Sequence, residues 1–451
     1  DFEYSNMILG GYMPGIGCKS FLSQISNASH DCITCEYQNA RRMALRSHCC
    51  WPAHVCQISS ELFPIHSFTL ALPPCVFHVT TFEQDSLVNS ISNLTPIPKV
   101  LATQLVLFGA VWISRTAQAS NFITHTHSRP RILTTRALNP NEMLEPNRYI
   151  RIHANPRRFP AVYQTSDQCS SIQSTWKSRI QYYNKSLGMI VAYKPHGVPS
   201  HASVDNLYEN ASVQLSKAIN GSDDREDVMP FHVLTRLDVC TSGLMVFGRD
   251  SQSASKIGKV LKGQKQNEFI LKRYMVYTNK KPPKVGTLMH IADNHGAGMP
   301  RGVKPTPVYR YDAEKYQKYL KFHEENGQKT RQPAQYCLME LEVEWIREIK
   351  GGGWESGVLL KTGRTHQIRR QYAAVGCPLI GDDMYESWAG RVREFDPEKS
   401  GKHDLTETFP EHGMAPDRLG LHAYNLHVCI NDLESKTSVD CTFNAPDPWW
   451  R

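Results

Sequence analysis

Thr235-Arg236-Leu237-Asp238-Val239-Cys240-Thr241-Ser242-Gly243 runs directly into Leu244-Met245-Val246-Phe247. A hydroxyl-rich turn carrying one acid beside an arginine thus abuts an apolar run of strand length, so the turn is held against a core. An aspartate placed there is either a structural cap or a working carboxylate, and this stretch alone leaves both open. Working outward, strand-like and helix-like segments alternate from about Leu187. Met189-Ile-Val-Ala-Tyr193 is an apolar run stopped by the turn signal Lys194-Pro195-His196-Gly197. Ala254, Ile257 and Leu261 share one face of a short helix ending near Gly263. In Glu340-Leu-Glu-Val-Glu-Trp345 acids alternate with apolar residues, and Lys350-Gly-Gly-Gly353 reads as a hairpin turn into Gly357-Val-Leu-Leu360. Many strands and few long helices predict an α+β domain on a largely antiparallel mixed sheet, flanked by helices and loops.

A second concentration of functional groups is Thr362-Gly363-Arg364-Thr365-His366-Gln367-Ile368-Arg369-Arg370-Gln371. Three arginines and a histidine in ten residues suit a carboxylate or phosphate partner. Read as an Arg-rich strand, it is what would keep a buried aspartate ionised. The bland reading is a phosphate-holding face with no chemistry.

Taken in order, these motifs resemble those of the RluA-type RNA pseudouridine synthases. That family reads H-R-L-D-x-x-T-S-G-L, then G-R-T-H-Q-I-R, then P-I-x-G-D-x-x-Y, then L-H-A. This chain has Arg236-Leu237-Asp238 with Thr241-Ser242-Gly243-Leu244, then Gly363 to Arg369. Pro378-Leu379-Ile380-Gly381-Asp382-Asp383-Met384-Tyr385 and Leu421-His422-Ala423 follow. Upstream, Lys194-Pro195-His196-Gly197 matches a K-P-x-G opening and Lys272-Arg273-Tyr274 a K-x-Y. The resemblance spans about Ile190 to Trp450.

What the resemblance implies is a pseudouridine synthase fold and isomerisation of specific uridines in structured RNA, ribosomal or transfer, with the target base flipped out of its helix. Asp238 would be the catalytic carboxylate, attacking the uridine at the anomeric carbon or at the base. Arg369 would pair with Asp238 and keep it anionic. Tyr274 would stack on the flipped uracil and serve the proton transfer at carbon 5. Arg236 would enter the vacated RNA stack, while Arg364, His366 and Lys194 would shape the pocket or touch phosphates. Neither metal nor other cofactor is implied. Two positions depart from the pattern: Thr235 stands where the family has a histidine, and Gln371 replaces a histidine after Q-I-R. Thr235 is the main argument for the alternative, a non-catalytic RNA-binding or ribosome-associated relative of the same fold.

The balance of the chain fits such a partner without requiring it. The 451 residues carry 51 Lys and Arg against 43 Asp and Glu, a formal charge of +8, with 40% hydrophobic residues. That is a globular composition, and residues 101–451 hold all of the positive surplus. The segment 279–331 has eleven Lys or Arg among five acids, with Tyr309, Tyr311, Tyr316 and Tyr319 interleaved. It reads as a basic insertion suited to RNA or, equally, as a solvated one.

Residues 1–98 have few charges and no sustained period, and read as a poorly specified region or a gene-model artefact. Cys32-x-x-Cys35 with His48, Cys49, Cys50, His54 and Cys56 only loosely resembles a zinc site, the third reading being a zinc-dependent binding module. Lys99, the apolar Leu105–Ile113 and Ala117-Gln-Ala119 have the parts of a secretory signal, and the arginine- and hydroxyl-rich stretch after Ser120 looks like a transit peptide. Together they mark 99–180 as a signal or transit segment with a linker, pointing to a plastid or another organelle and otherwise to the cytoplasm. The competing reading of Leu105–Ile113 is a buried strand ahead of a linker. A nine-residue apolar run is too short to span a bilayer, so no membrane is expected for the mature form. The catalytic domain is placed at 181–451, no RNA-binding domain of S4 type is evident ahead of it, and a monomer is the default.

Overall fold

A computed structural model describes residues 75–115, 133–165, 171–221, 229–293, 308–330, 336–396, 418–432 and 437–451. They form two compact units, the first ending at Arg158 and including Ala202–Tyr208, the second comprising Phe159–His201 and Glu209–Arg451. The N-terminal cysteine and histidine group, and the stretch from Ala117 through Arg131, lie outside the described residues.

The first unit contains β1 (Val76–Thr80), β2 (Asp85–Ser86), α1 (Leu87–Leu94), α2 (Lys99–Phe108), β3 (Val111–Ser114), β4 (Thr134–Arg136), β5 (Met143–Leu144) and β6 (Tyr149–His153). Four strands make an antiparallel sheet in the order β1-β6-β3-β4. Ser86 caps α1 by accepting from the Asn89 amide at 3.3 Å. The i, i+4 pair Leu101 and Leu105 of α2 is buried with Leu87 and Ile91 of α1 against Ile113, Ile150 and Ile152 of the sheet. The apolar run Leu105–Ile113 is therefore neither one strand nor a continuous leader core. It is the end of α2, a left-handed cap at Gly109 (φ 76°) and the start of β3. A division at residue 98 falls between two helices of one core, and residues 99–115 belong to a folded unit instead of a linker.

The second unit adds α3 (Ile172–Ser178), β7 (Ile180–Asn184), β8 (Met189–Lys194), α4 (Ala211–Asn220), β9 (His232–Val233), β10 (Ser242–Gly248), α5 (Ser251–Leu261), β11 (Phe269–Thr278), β12 (Gly286–Asp293), β13 (Val308–Arg310), α6 (Ala313–Thr330), β14 (Tyr336–Glu348), β15 (Trp354–Leu360), α7 (Gln367–Ala374), α8 (Asp383–Glu386), β16 (Leu421–Asp432) and β17 (Thr437–Asn444). Its sheet runs β13-β12-β14-β15-β11-β16-β10-β8-β7, with β17 on β16 and β9 on β10. The strand pairs are antiparallel except β10 with β16. This is the largely antiparallel α+β architecture expected from the alternation of strands and turns.

Two segments fold otherwise than the sequence suggests. Thr362–Gln371 is not an Arg-rich strand: Gly363–His366 form a turn, and α7 begins at Gln367, burying Ile368 and Tyr372 one helical turn apart in the main core. The tyrosines of 279–331 do not stand out to stack bases. Tyr309 and Tyr316 are buried with Ile291, Tyr336 and Phe395, and Tyr311 and Tyr319 pack on that cluster. The rings meet mostly edge to face at 5.2–6.3 Å. They are a satellite core that seats α6 on the sheet edge, with Lys315, Lys318 and Lys321 left on its exposed side.

Candidate active site

Asp238 lies in the loop between β9 and β10, and that loop is gripped from several sides. The Ser200 hydroxyl donates to the Leu237 carbonyl at 2.7 Å and accepts from its amide at 3.0 Å. The Gly197 amide donates to the Val239 carbonyl at 2.9 Å, and the Thr241 amide to that of Asp238 at 3.1 Å. Lys194 is buried, its ammonium donating to the carbonyls of Val198 (2.7 Å), Pro195 (3.0 Å) and Val239 (3.3 Å). Burial pushes its pKa down to about 7, against the opposing pull of Cys240 and Asp238. Of the two expectations for Lys194, shaping the pocket or touching phosphate, these contacts favour the first: its ammonium donates to three backbone carbonyls, and the K-P-x-G segment holds the loop.

Thr235, the departure from the family pattern, is a structural residue here. Its buried hydroxyl accepts from the Val246 amide at 2.8 Å, tying the start of the loop to the adjacent strand. On the far side, the Ser242 hydroxyl bonds His422 Nδ1 at 2.8 Å, and His422 Nε2 donates to the Pro446 carbonyl at 2.9 Å. Gly243 needs its missing side chain: φ is +128°, and a Cβ there would meet the Ala423 carbonyl oxygen at 2.3 Å. This close approach is where β10 and β16 run parallel.

Arg369 of α7 reaches into the same place. Its guanidinium donates to Asp238 at 3.0 Å through one terminal nitrogen, and to both oxygens of Asp382 at 2.9 and 2.7 Å through Nε and the other. The arginine side chain is 4% exposed, that of Asp382 0% and that of Asp238 30%. One carboxylate is sealed in and holds the arginine; the other is partly exposed. Burial disfavours the charge on Asp238, but His366, Arg369 and Lys194 outweigh it and hold the carboxyl below the ordinary aspartate range. His366 Nε2 stands 3.6 Å from Asp238, and its Nδ1 lies 3.0 Å from the Tyr385 hydroxyl. His366 sits at φ +51°, a left-handed position uncommon for a side-chain-bearing residue, and its ring faces the carboxylate.

Gln371 is fully buried and does a scaffold's work: its amide nitrogen donates to the Leu288 carbonyl at 3.0 Å and its oxygen accepts from Gln367 at 3.0 Å. The two glutamines moor α7 to β12 and, through the Glu340 carbonyl, to β14. Tyr274 stands at the irregularity between Arg273 and Met275, where the β11–β16 register shifts. A bulge of this kind re-aims a side chain. Its phenol is buried, and burial together with the Asp238 charge pushes its pKa up, so it is protonated at neutral pH. Arg236 is exposed and makes no hydrogen bond or ion pair among the described residues, and Arg364 is exposed beside the Leu338 carbonyl at 3.5 Å.

An aspartate–arginine–aspartate bridge with the Tyr385 ring 5.2 Å from the guanidinium can hold the exposed carboxylate ionised. A search against family models matches residues 188–374 to RNA pseudouridylate synthase. That segment, with the ordered motifs within it, is similar to the RluA-type RNA pseudouridine synthases. It is similar to the chloroplastic RNA pseudouridine synthase 6 of Arabidopsis thaliana, with 25% identity over 449 residues, covering 87% of this chain and 84% of that one. It is also similar to the tRNA pseudouridine(31) synthase of Saccharomyces cerevisiae, 28% identical over 211 residues and covering 44% of each chain. Among solved structures, human RNA pseudouridylate synthase domain containing 4 aligns with a TM-score of 0.38 at 18% identity, over 62% of this chain and 92% of its own. The motif that sequence reading quoted without assigning, P-L-I-G-D-D-M-Y, supplies Asp382 and Tyr385. Its signal was the glycine: Gly381 (φ +75°) would push a Cβ to 2.1 Å from the Arg418 carbonyl, so the backbone there must pass the segment leading into β16 closely.

Proposed function

We propose that this pseudouridine synthase isomerises specific uridines of structured ribosomal or transfer RNA, with Asp238 as the acting carboxylate. The observation that carries the reading is Arg369 bridging Asp238 and Asp382, which leaves the exposed carboxylate anionic and oriented. In the reaction the bond from ribose carbon 1′ to uracil N1 breaks, the base turns, and carbon 1′ bonds to C5. C5 gives up one proton and N1 takes one, so no proton is gained or lost overall and no oxidant is required. Asp238 stabilises or bonds the transient sugar or base electrophile. Tyr274 packs on the extruded uracil, and its protonated phenol takes part in moving the C5 proton as a relay. Arg236, exposed and unengaged among the described residues, fills the gap left in the helix. Exposed Arg364 contacts the backbone of the RNA.

The decisive experiment is isomerisation of total organellar and cytosolic RNA by the full chain, with Asp238→Ala as control. Uridine converted by wild type alone establishes the reading, and mapping the converted position names the RNA. Retained RNA binding without conversion in both would instead favour a non-catalytic relative. We further infer an organelle, in the first instance a plastid, from the relative's name and the transit-like stretch after Ser120. Imaging the full chain fused to a fluorescent protein tests it, and a purely cytosolic signal would overturn it.

A further inference from the structure

The sheet of the first unit has one face against its helices and one that the function above does not use. The inner face carries Ile113, Ile150 and Ile152. Alternation places Trp112, Arg136, Arg151 and His78 on the other. The registers align them in one row across all four strands: Arg136 opposite Trp112, Trp112 opposite Arg151, Arg151 opposite His78. Trp112 lies between two guanidiniums, Arg136 at 4.6 Å and Arg151 at 5.3 Å from its ring centroid. Tyr149, two residues before Arg151 on the same strand face, stacks on His78 and is bonded to its Nδ1 at 2.6 Å.

The ends of the row differ. Arg136 is committed, donating to the carbonyls of Gly109 and Ser203, and the Trp112 N–H is committed to the Val204 carbonyl at 2.7 Å. Arg151 has no hydrogen-bond or ion-pair partner among the described residues, although its Nε is buried. The nearby carboxylate, Asp205, is taken by a bidentate contact with Arg157. Burial and the Arg151 charge both push His78 down, as a field of positive sign would.

We propose that this face, centred on Arg151 and Trp112, is an RNA contact surface, with Arg151 taking a phosphate and exposed His78, backed by half-buried Tyr149, stacking an unpaired base. A half-buried guanidinium without a carboxylate wants an anion, and aromatic rings in line with it suit bases, which is the pairing that single-stranded nucleic acid offers. The surface is distinct from the residues around Asp238 and deepens the reading of RNA as substrate, on which it rests.

The test uses the full chain and a labelled oligouridylate, with Arg151→Gln and His78→Ala compared with wild type by fluorescence anisotropy over a salt series. One lost phosphate contact should make the slope of log affinity against log salt shallower by about 0.7. Loss of the stacking edge should weaken binding on the order of tenfold. Conversion at saturating RNA should be unchanged in both, with KM raised. Unaltered affinity and slope in both variants would overturn the proposal. Weakened binding with no conversion by wild type would keep the surface and sink the catalytic reading, so the two fail separately.

Discussion

Asp238 and Asp382 share one arginine, yet their substitution should damage different properties. Asp382 is sealed and accepts two guanidinium N–H bonds at 2.9 and 2.7 Å. Breaking a buried ion pair by removing one charge costs about 3–5 kcal/mol. Asparagine keeps the shape and one acceptor oxygen, so Asp382→Asn belongs at the lower end, about 3 kcal/mol, or a fall in melting temperature on the order of 10 °C for a unit of this size. Arg369, no longer forked, loses its aim at Asp238, and misplacement of a reacting group by an ångström can cost about 100-fold in rate. Asp238→Asn leaves the fork on Asp382 intact and alters a side chain that already meets solvent, so stability should hardly change. Conversion should fall to background. Release of tritium from RNA labelled at uridine C5, measured in single turnover, reads the chemistry, and denaturant unfolding of the same proteins reads the stability. An Asp382→Asn protein with wild-type stability and rate would refute the division of labour, as would substantial conversion by Asp238→Asn.

Three further outcomes follow from the same geometry. Lys194→Met should destabilise the loop while leaving the salt dependence of RNA binding as it is, because the ammonium faces carbonyls. Between about pH 7 and its ordinary 10.5, unfolded Lys194 holds a proton that the folded chain has released, so this group makes stability rise with pH across that window. Urea titrations at several pH values should show the rise in wild type and a weaker one in the variant. Thr235→Val strands the buried Val246 amide and should cost about 1–3 kcal/mol, with turnover per folded molecule preserved; a selective loss of turnover would reassign Thr235 to the chemistry. Gly243→Ala should fail to fold, seen as loss of the native circular dichroism, since its Cβ would overlap a strand backbone; Gly258→Ala in α5, where nothing lies within 4 Å, should be neutral or stabilising by up to about 1 kcal/mol.

How far the chain could be read differs by segment. The strands at 189–194 and 242–248, the helix over 251–261 and the 340–360 hairpin follow from periodicity and turn chemistry, because they depend on neighbours a few residues away. The site residues came from motif resemblance, which marks positions without saying what each side chain touches. Lys194 is the clearest case: a lysine before Pro-x-Gly leaves pocket-shaping and phosphate contact both open, and burial with three carbonyl contacts favours the first. The tyrosines of 279–331 misled for the same reason, since alternation with lysines does not reveal that Tyr336 and Phe395, distant in sequence, close a core around them. The first unit was hidden by an apolar run that breaks at Gly109, one half joining a helix and the other a strand.

By itself, the sequence determined which residue types stand where: the acid in its hydroxyl-rich turn, the arginines 126–132 positions later, the glycines that permit close strands, and the α+β alternation. Only the tertiary structure decided that Asp382 is the buried carboxylate holding Arg369 against Asp238, and that Trp112 and Arg151 line up across a sheet. The reason is range. Propensity, capping and turn preference act over a few residues, whereas a carboxylate's partner, its exposure and the sign of its pKa shift are set by strand order and register, which join residues more than a hundred positions apart.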